Sequence, residues 1–279
     1  MSGSLILGFF DGVHIAHRVL ISSALNYSKS STLITFIDSP AVYFGKEKEY
    51  ILSREESVKR IKALGVKNVI ELDFPKIANM QAKEYLEYLI KDFSPDAIFT
   101  GFNHTFGLNK EGTPKILDKN QSKYGYKYFC VEPQKYEGEV ISSSLIKKYI
   151  KNGEIEKANI LLGNKFFIDG TVIEGAKIGR NIGFPTANIM YPDSIVKLPF
   201  GVYKVLCEGK NAILNWGMRP TVHNIKEPVA EVHILGFEGD LYGKRIRVEI
   251  IKQIRSEKCF SNLEELKRQI KEDISACCE

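Results

Sequence analysis

Apolar residues in the first half of the chain alternate between short continuous runs and helically spaced stripes. The run at residues 5–9 ends at Asp11-Gly12, which predicts a buried strand followed by a turn. Apolar residues three and four apart between Ala16 and Tyr27 then predict an amphipathic helix. Further strands are predicted at 32–37, 68–72, 97–100 and 126–131, and further helices after the capping box Ser53-x-x-Glu56 and over 81–91. This alternation predicts a parallel sheet with crossover helices, whose ligands bind at the carboxyl ends of the strands.

The pattern changes in the second half. Two short helices are predicted at 143–151 and 155–162. Strands then follow one another at 166–172, 201–207, 212–216, 230–235 and 244–252 without a long helix between them, which predicts a small antiparallel barrel. An amphipathic helix from about Asn262 closes the chain, and Cys277-Cys278 is interpreted as an unstructured end. We place the domain boundary so that residues 1–155 form the α/β domain and 156–279 the barrel domain.

Composition narrows the class of protein. Of the 279 residues 44% are hydrophobic and 26% charged, the balance of a soluble globular protein. The net charge of +5 suits small anionic ligands, but without a dense Lys/Arg block it does not support nucleic-acid binding. The longest N-terminal apolar run is interrupted by Gly8 and is too short for a membrane span or a signal peptide. Five cysteines without a C-x-x-C pair point to a reducing cytoplasm. We expect no nucleic-acid or membrane partner and leave the oligomeric state open.

The first candidate site lies where the first predicted strand gives way to the first helix. Glycines there allow close backbone approach to a ligand, and the helix N-terminus offers free N–H groups to phosphate. His14 and His17 are three residues apart, so both imidazoles share one helix face. Two donors aimed at one phosphate suit nucleotidyl transfer, in which the α-phosphate gathers charge. The alternative is two unrelated surface or packing histidines, and a zinc site lacks a third ligand nearby.

A second candidate site lies in the stretch GRNIGFPTAN at residues 179–188. Thr186 and Asn188 are two apart, so an extended backbone points both side chains the same way. Mg²⁺ takes one or two protein oxygens and fills its other positions with water and phosphate, so this neutral pair beside a glycine loop suits Mg-ATP. The stretch is not a Walker A loop. The alternative is a structural turn whose side chains satisfy backbone groups.

A carboxylate adds a candidate base to the second site. Glu231 and His233 alternate with Val232 and Ile234, as on a strand with two different faces. A carboxylate on the inner or rim face of a barrel can accept the proton of an attacking hydroxyl. The alternative is an ordinary solvated strand face.

These motifs resemble those of bacterial bifunctional riboflavin kinase/FAD synthetases, a family of H-x-G-H nucleotidylyltransferases. Residues 8–17 resemble its G-N-F-D-G-V-H-x-G-H signature, and residues 179–188 match its G-R-x-x-G-F-P-T-A-N motif without a gap. Residues 100–107 resemble its flavin-nucleotide loop, and residues 141–147 resemble its I-S-S-T-x-I-R motif. The resemblance covers nearly the whole chain.

The resemblance implies a Rossmann-like nucleotidylyltransferase domain with a parallel sheet, followed by an all-β riboflavin-kinase barrel with a terminal helix. The implied activities are phosphorylation of riboflavin to FMN and adenylylation of FMN to FAD, with ATP, riboflavin and FMN as substrates. Glu231 is the implied base, His14 and His17 stabilise the α-phosphate, and Thr186 and Asn188 hold Mg²⁺ with ATP. Further implied flavin- and ATP-binding residues are Gly8, Phe10, Asp11, Gly12, Asn103, Phe106, Ser142, Ser143, Lys147, Gly179, Gly183, Pro185, Asn215 and Arg255.

The first half also departs from the family pattern. Ala16 replaces the glycine between the histidines, Leu145 and Lys147 stand where arginine is usual, and His104 replaces a phenylalanine. Lysine neutralises phosphate but cannot grip it through a planar, two-pronged contact. One alternative is therefore a riboflavin kinase with an impaired adenylyltransferase domain. Another is a non-catalytic flavin or nucleotide regulator, against which the intact Glu231 argues.

Overall fold

The structure is a computed structural model that describes residues 3–175, 179, 182–220 and 226–278. It divides into two compact units, Met1–Ser143 and Ser144–Glu279. The two helices after the first unit are α8 (Ser143–Lys151) and α9 (Ile155–Leu162), both with the bounds that the sequence predicts. The sequence-based boundary at 155/156 falls at the start of α9, whereas the contacts place α9 and all of α8 after Ser143 with the second unit.

The first unit is built on a five-stranded parallel sheet in the order β3-β2-β1-β4-β5. Continuous apolar runs produce strands buried on both faces, and Leu5, Ile6 and Leu7 are at most 2% exposed. The strand order reverses between β1 and β4, and ligands of such sheets bind at the carboxyl ends beside this point. The predicted parallel sheet is confirmed. The strands are β1 (Ser4–Leu7), β2 (Ser31–Phe36), β3 (Asn68–Leu72), β4 (Ala97–Gly101) and β5 (Lys127–Val131).

Local capping explains where the helices of this unit begin. The Ser53 side chain accepts the backbone N–H of Glu56, as the capping box predicts. Leu86 and Leu89 lie on the buried face of their helix and pack into the core under the sheet. The helices are α1 (Ile15–Tyr27), α2 (Pro40–Tyr43), α3 (Arg54–Ala63), α4 (Phe74–Ile77), α5 (Ala82–Phe93), α6 (Pro114–Lys119) and α7 (Gln121–Tyr124), followed by a small hairpin, β6 (Lys135–Tyr136) and β7 (Glu139–Val140).

The second unit contains a closed antiparallel barrel in the order β10-β11-β12-β9-β8-β13, which confirms the predicted barrel. Alternate residues fill its interior, so Tyr203, Val205, Leu214 and Val248 are fully buried. The sequence prediction missed β9, which has only three residues. The strands are β8 (Phe166–Ile173), β9 (Ala187–Ile189), β10 (Gly201–Cys207), β11 (Lys210–Pro220), β12 (Lys226–Ile234) and β13 (Arg245–Ser256).

The C-terminal helix α10 (Leu263–Cys278) packs on the outside of the barrel. Ile274 and Cys277 contact Val202 and Ile213 of the barrel wall. The Cys277 thiol is fully buried and donates to the Ala212 carbonyl at 3.4 Å. The interpretation of Cys277-Cys278 as an unstructured end is therefore wrong, because Cys277 continues the apolar face of the helix.

Candidate active sites

The turn after β1 brings the first histidine into place. A 3-10 turn at Asp11–Val13 precedes α1, and Gly12 adopts φ of 86°, a conformation that glycine reaches without strain. Gly8 lies against Phe10, since a Cβ on Gly8 would lie 3.1 Å from the Phe10 ring. Asp11 is 4% exposed and its Oδ1 accepts the backbone N–H of Ile51 at 2.8 Å. These contacts fix the backbone that leads into His14.

His14 and His17 lie together, as their spacing predicts. His14 caps α1, and its Nδ1 accepts the backbone N–H of His17 at 3.4 Å. The two rings stack with centroids 3.6 Å apart, and Phe10 packs edge-on against His17 at 5.0 Å. Because Nδ1 of His14 acts as an acceptor, its proton resides on Nε2, which is available as a donor. The Nδ1 atom of His17 is buried and has no hydrogen-bond partner among the described residues.

Burial keeps both imidazoles uncharged. Desolvation, followed by the charge of Arg18, lowers the pKa of His14 to about 4. Desolvation and the neighbouring His14 lower the pKa of His17 well below its usual value. At neutral pH the pair can therefore offer hydrogen bonds to an anion but not positive charge.

The predicted serines lie at the start of α8. The Ser143 hydroxyl donates to the Asp11 carbonyl at 2.9 Å, which ties this helix start to the histidine turn across 132 positions. Ser142 is half-buried. Lys147 belongs to the second unit, and its predicted phosphate contact stays a prediction.

The loop after β4 carries the residues predicted to bind flavin. Asn103 is exposed, whereas Phe106 is 8% exposed and packs in the core of the first unit. His104 stacks on Phe106, and burial lowers its pKa to about 4. A pocket at the carboxyl ends of β1, β2 and β3 is lined by Phe10 and Asp11 of the histidine turn and by Phe36, Tyr50, Arg54 and Glu71.

The second site is a row of polar side chains across three neighbouring strands. Glu231 on β12 stands opposite Asn188 on β9 and opposite Asn215 on β11. Directly opposed residues in antiparallel strands lie about 5 Å apart on the same face. Val232 and Ala230 face the interior, so this polar row lies on the outer face of the barrel rather than on the inner face. Glu231 is half-buried there, and Asn188 is 6% exposed.

Two glycines allow the predicted metal ligands to lie close to the neighbouring backbone. A Cβ on Gly175 would lie 2.1 Å from the Asn188 amide nitrogen, and a Cβ on Gly179 would lie 3.2 Å from Thr186 Oγ1. Gly183 turns the loop with φ of 91°. Within the described part of the chain, no group of three histidine, cysteine or acidic side chains could hold a metal ion. The neutral Thr186 and Asn188 oxygens thus fit an ion that takes its remaining ligands from water and phosphate.

A cavity of about 350 Å³ opens beside the same segment. Pro185 and Thr186 line it together with inward-facing residues of the barrel and the loop after β12. Thr186 lines this cavity, and Asn188 lies in the polar row. The segment 185–188 therefore connects the cavity to the polar row along the chain. The other lining residues are Val172, Ala187, Val232, Ile234, Phe237, Glu238, Gly239, Asp240, Leu241 and Tyr242.

Two residues near the end of β13 have structural partners. The Arg255 guanidinium is paired with the Asp273 carboxylate of α10 at 2.9 Å, and Asp273 is 3% exposed. The Glu257 carboxylate accepts the backbone N–H of Met218 at 3.0 Å and fills the space that Gly217 leaves. Arg180 and Asn181 of the motif lie outside the described residues.

Sequence reasoning missed His233 as part of this site. Its Nδ1 lies 2.8 Å from the Pro185 carbonyl, although 48 positions separate the two residues. The available signal was its place two residues after Glu231, on the same strand face.

Two family models match the chain, one over the region of the parallel sheet and one over the region of the barrel. A model described as FAD synthetase matches residues 2–145, and one described as riboflavin kinase matches residues 162–279. Among the described residues, none of the helices combines the length and apolar character that crossing a bilayer requires.

Relatives match over nearly the full length. The bifunctional riboflavin kinase/FMN adenylyltransferase of Bacillus subtilis (strain 168) is 34% identical over 284 residues, covering 96% of this chain and 89% of the relative. The Escherichia coli (strain K12) protein of the same description is 32% identical, covering 96% and 90%. A crystal structure described as a macrolide-efflux protein from Streptococcus pneumoniae matches with a TM-score of 0.91 at 29% identity, covering 100% of this chain and 94% of that one. The chain belongs to the bifunctional riboflavin kinase/FMN adenylyltransferase family.

Proposed function

We propose that Glu231, Thr186 and Asn188 serve phosphoryl transfer in this chain, and that His14 and His17 serve adenylyl transfer. As a member of its family, the chain is an ATP-dependent enzyme that phosphorylates riboflavin to FMN and adenylylates FMN to FAD, with release of pyrophosphate. The assignment rests above all on the row in which Glu231 stands directly between Asn188 and Asn215.

In the kinase reaction, the 5′-hydroxyl of riboflavin attacks the γ-phosphorus of ATP and ADP leaves. Glu231 accepts the hydroxyl proton as the new P–O bond forms. Its half-buried position on the outer face keeps the carboxylate accessible from one side while its strand neighbours hold it in place. Asn215, the opposite neighbour of Glu231 on β11, offers an amide that binds the substrate beside the base.

Thr186 and Asn188 hold the nucleotide end of this reaction. These two residues would hold Mg²⁺ together with ATP, and the ion would neutralise phosphate charge during the transfer. Thr186 Oγ1 and Asn188 Oδ1 would supply its protein oxygens, and Gly175 and Gly179 let the backbone of their loop lie directly against these two side chains. The cavity lined by Thr186 holds the rest of the ATP molecule.

In the adenylyl reaction, a phosphate oxygen of FMN attacks the α-phosphorus of ATP and pyrophosphate leaves. The Nε2–H group of His14 donates a hydrogen bond to the α-phosphate. The His17 ring stacks on the His14 ring, with the two ring centroids 3.6 Å apart. Because both rings are neutral, they donate hydrogen bonds to the negative charge that develops on the α-phosphate, and neither ring has to change its protonation state. Ser143 holds the Asp11 carbonyl of the same turn through its hydroxyl, and the neighbouring Ser142 is the further hydroxyl that we assign to this site.

The kinase assignment is tested by Glu231→Gln. We expect riboflavin phosphorylation to fall by about a thousandfold, the usual effect of removing a general base. Riboflavin binding, measured by fluorescence titration, and adenylylation of supplied FMN should both persist. Glu249→Gln, which alters an exposed carboxylate paired with Lys165, is the matched control and should retain both activities. Phosphorylation at the normal rate by Glu231→Gln would remove Glu231 as the base.

The adenylyltransferase assignment is tested by His14→Ala and His17→Ala. Either change should stop conversion of FMN to FAD and leave conversion of riboflavin to FMN intact, since the kinase residues lie in the other unit. The readout is chromatographic separation of FMN and FAD after incubation with riboflavin, Mg²⁺ and ATP. FAD formation by both variants would show that the histidine turn is not the adenylyl site.

We also keep the cytoplasmic location as a proposal. Cys130, Cys207, Cys259 and Cys277 are free thiols, as suits a reducing compartment. The sign of the net charge, +5, agrees with substrates that carry phosphate.

A further inference from the structure

The imidazole of His233 is bonded to the main chain of the segment that carries Thr186. Its Nδ1 lies 2.8 Å from the Pro185 carbonyl oxygen. A carbonyl oxygen only accepts hydrogen bonds, so Nδ1 carries the proton and donates it. The Phe184 ring packs edge-on against the same imidazole, with centroids 5.9 Å apart and planes at 85°.

This side-chain bond begins where the strand ladder ends. β9 pairs with β12 at Ile189 and Ala230, at Asn188 and Glu231, and at Ala187 and Val232. One position further, Thr186 would face His233, but the pairing stops there. Pro185 has no N–H to offer to a neighbouring strand. Where the backbone pairing between β9 and β12 ends, the His233 side chain therefore holds the two segments together by its hydrogen bond to Pro185.

We propose that His233 is a positioning residue for ATP in the kinase reaction, holding the Pro185 carbonyl so that Thr186 Oγ1 faces the nucleotide. Asn188 is held separately, because it lies within the β9–β12 ladder. Glu231 and His233 are neighbours on one face of β12, so a single strand sets the spacing between the base and the Thr186 segment. This inference rests on the proposed role of Thr186.

Loss of the imidazole should weaken ATP use selectively. In His233→Ala we expect KM for ATP in riboflavin phosphorylation to rise about tenfold, the effect of one lost hydrogen bond. KM for riboflavin should stay within about twofold. Adenylylation of supplied FMN by the same full-length protein should be unchanged, which shows that the variant is folded in its first unit.

Two conservative variants distinguish the hydrogen bond from His233 to Pro185 from a packing role of the imidazole ring. The amide nitrogen of asparagine reaches the place of Nδ1, whereas that of glutamine reaches the place of Nε2. His233→Asn should therefore return KM for ATP to within about threefold of the parent, and His233→Gln should resemble His233→Ala. Tyr203→Phe is the matched control, because the Tyr203 hydroxyl also donates to a proline carbonyl, that of Pro199, outside the ATP segment. It should leave KM for ATP unchanged.

A double-mutant cycle with Thr186→Ala distinguishes this inference from the proposed function. If His233 acts through Thr186, adding His233→Ala to Thr186→Ala should raise KM for ATP by less than about twofold further. The inference is overturned if the two effects multiply in full, if His233→Ala leaves KM for ATP unchanged, or if His233→Asn is no better than His233→Gln. Failure of the proposed function has a different signature, an unaltered KM for ATP in Thr186→Ala alone.

Discussion

The histidines of the first unit are neutral because the fold removes them from water. His14 is 3% exposed, and the cationic Arg18 nearby adds to the cost of protonating it. A neutral imidazole with an acceptor at Nδ1 presents a single N–H in a fixed direction. Stacking within 3.6 Å of His17 makes a second positive charge still less favourable. In the proposed adenylyl transfer, the pair would therefore give the phosphate directed hydrogen bonds rather than positive charge.

The lowered pKa of His14 has a consequence for stability. Its pKa is about 4 in the folded chain and 6.5 without the fold, so only the unfolded chain gains this proton as pH falls below 6.5. Folding free energy should decline between pH 6.5 and 4, by about 3 kcal/mol from His14 alone. Calorimetric unfolding at a series of pH values measures this decline. His14→Asn, which keeps a helix-capping side chain, should show a smaller decline, and an equal decline in both proteins would contradict the assignment.

Among the secondary-structure elements, α10 shows how a helix is joined to the barrel wall by one buried ion pair. Arg255 of β13 donates through Nε and Nη2 to Asp273 of α10, and Gln269 donates to the same carboxylate at 3.2 Å. Apolar contacts of Ile274 and Cys277 lie next to this pair. The Arg255 guanidinium, predicted to contact flavin, is therefore already bonded to the Asp273 carboxylate within the protein.

Removing Asp273 should loosen the helix. Asp273→Ala leaves the guanidinium of Arg255 without its carboxylate in a largely buried place, and we expect a loss of about 3 kcal/mol in unfolding free energy. Trp216, the single tryptophan of the chain, lies in the barrel and reports its unfolding by fluorescence in urea. Glu264→Ala, which removes an exposed partner of Lys267 on the same helix, should cost less than about 0.5 kcal/mol. Equal losses in the two variants would contradict this account.

The sequence predicts those elements whose signal is local. Continuous apolar runs mark the parallel strands, and strict alternation marks β12 and β13. The helices α2 and α4 have only four residues each, too few for a helical stripe, so they were not predicted. Cys277 stands three residues after Ile274 and extends its stripe, a signal that was available. The bonds of His233 to Pro185 and of Glu257 to Met218 join distant positions, and no local pattern contains them.

At the scale of the whole molecule, the second unit begins before the region that the riboflavin kinase model matches and includes α9. Asn159 of α9 donates to the Ile250 carbonyl at 2.9 Å and accepts the Phe166 N–H at 2.6 Å, joining α9 to β13 and β8. Ile155, Ala158 and Leu161 are buried on the same helix. The helix α9 is therefore part of the kinase fold, although the riboflavin kinase model begins at residue 162.

Two fragments test this division. A fragment of residues 144–279 should fold and phosphorylate riboflavin, since it contains the whole second unit. A fragment of residues 162–279 lacks Asn159 and the buried face of α9, and it should unfold at a clearly lower urea concentration. Trp216 fluorescence compares the two directly. Matching urea midpoints would show that α9 contributes nothing to the barrel.

The wall formed by β11, β12 and β9 separates two kinds of constraint on the sequence. Asn215, Glu231 and Asn188 stand on its outer surface, while Leu214 and Ala230 fill the interior behind them. An exchange of one aliphatic side chain for another behind the wall should change the melting temperature, whereas an exchange on the outer surface alters the polar row directly. Stability and the chemistry of the polar row can therefore be varied separately, by substitutions at alternating positions of the same strands.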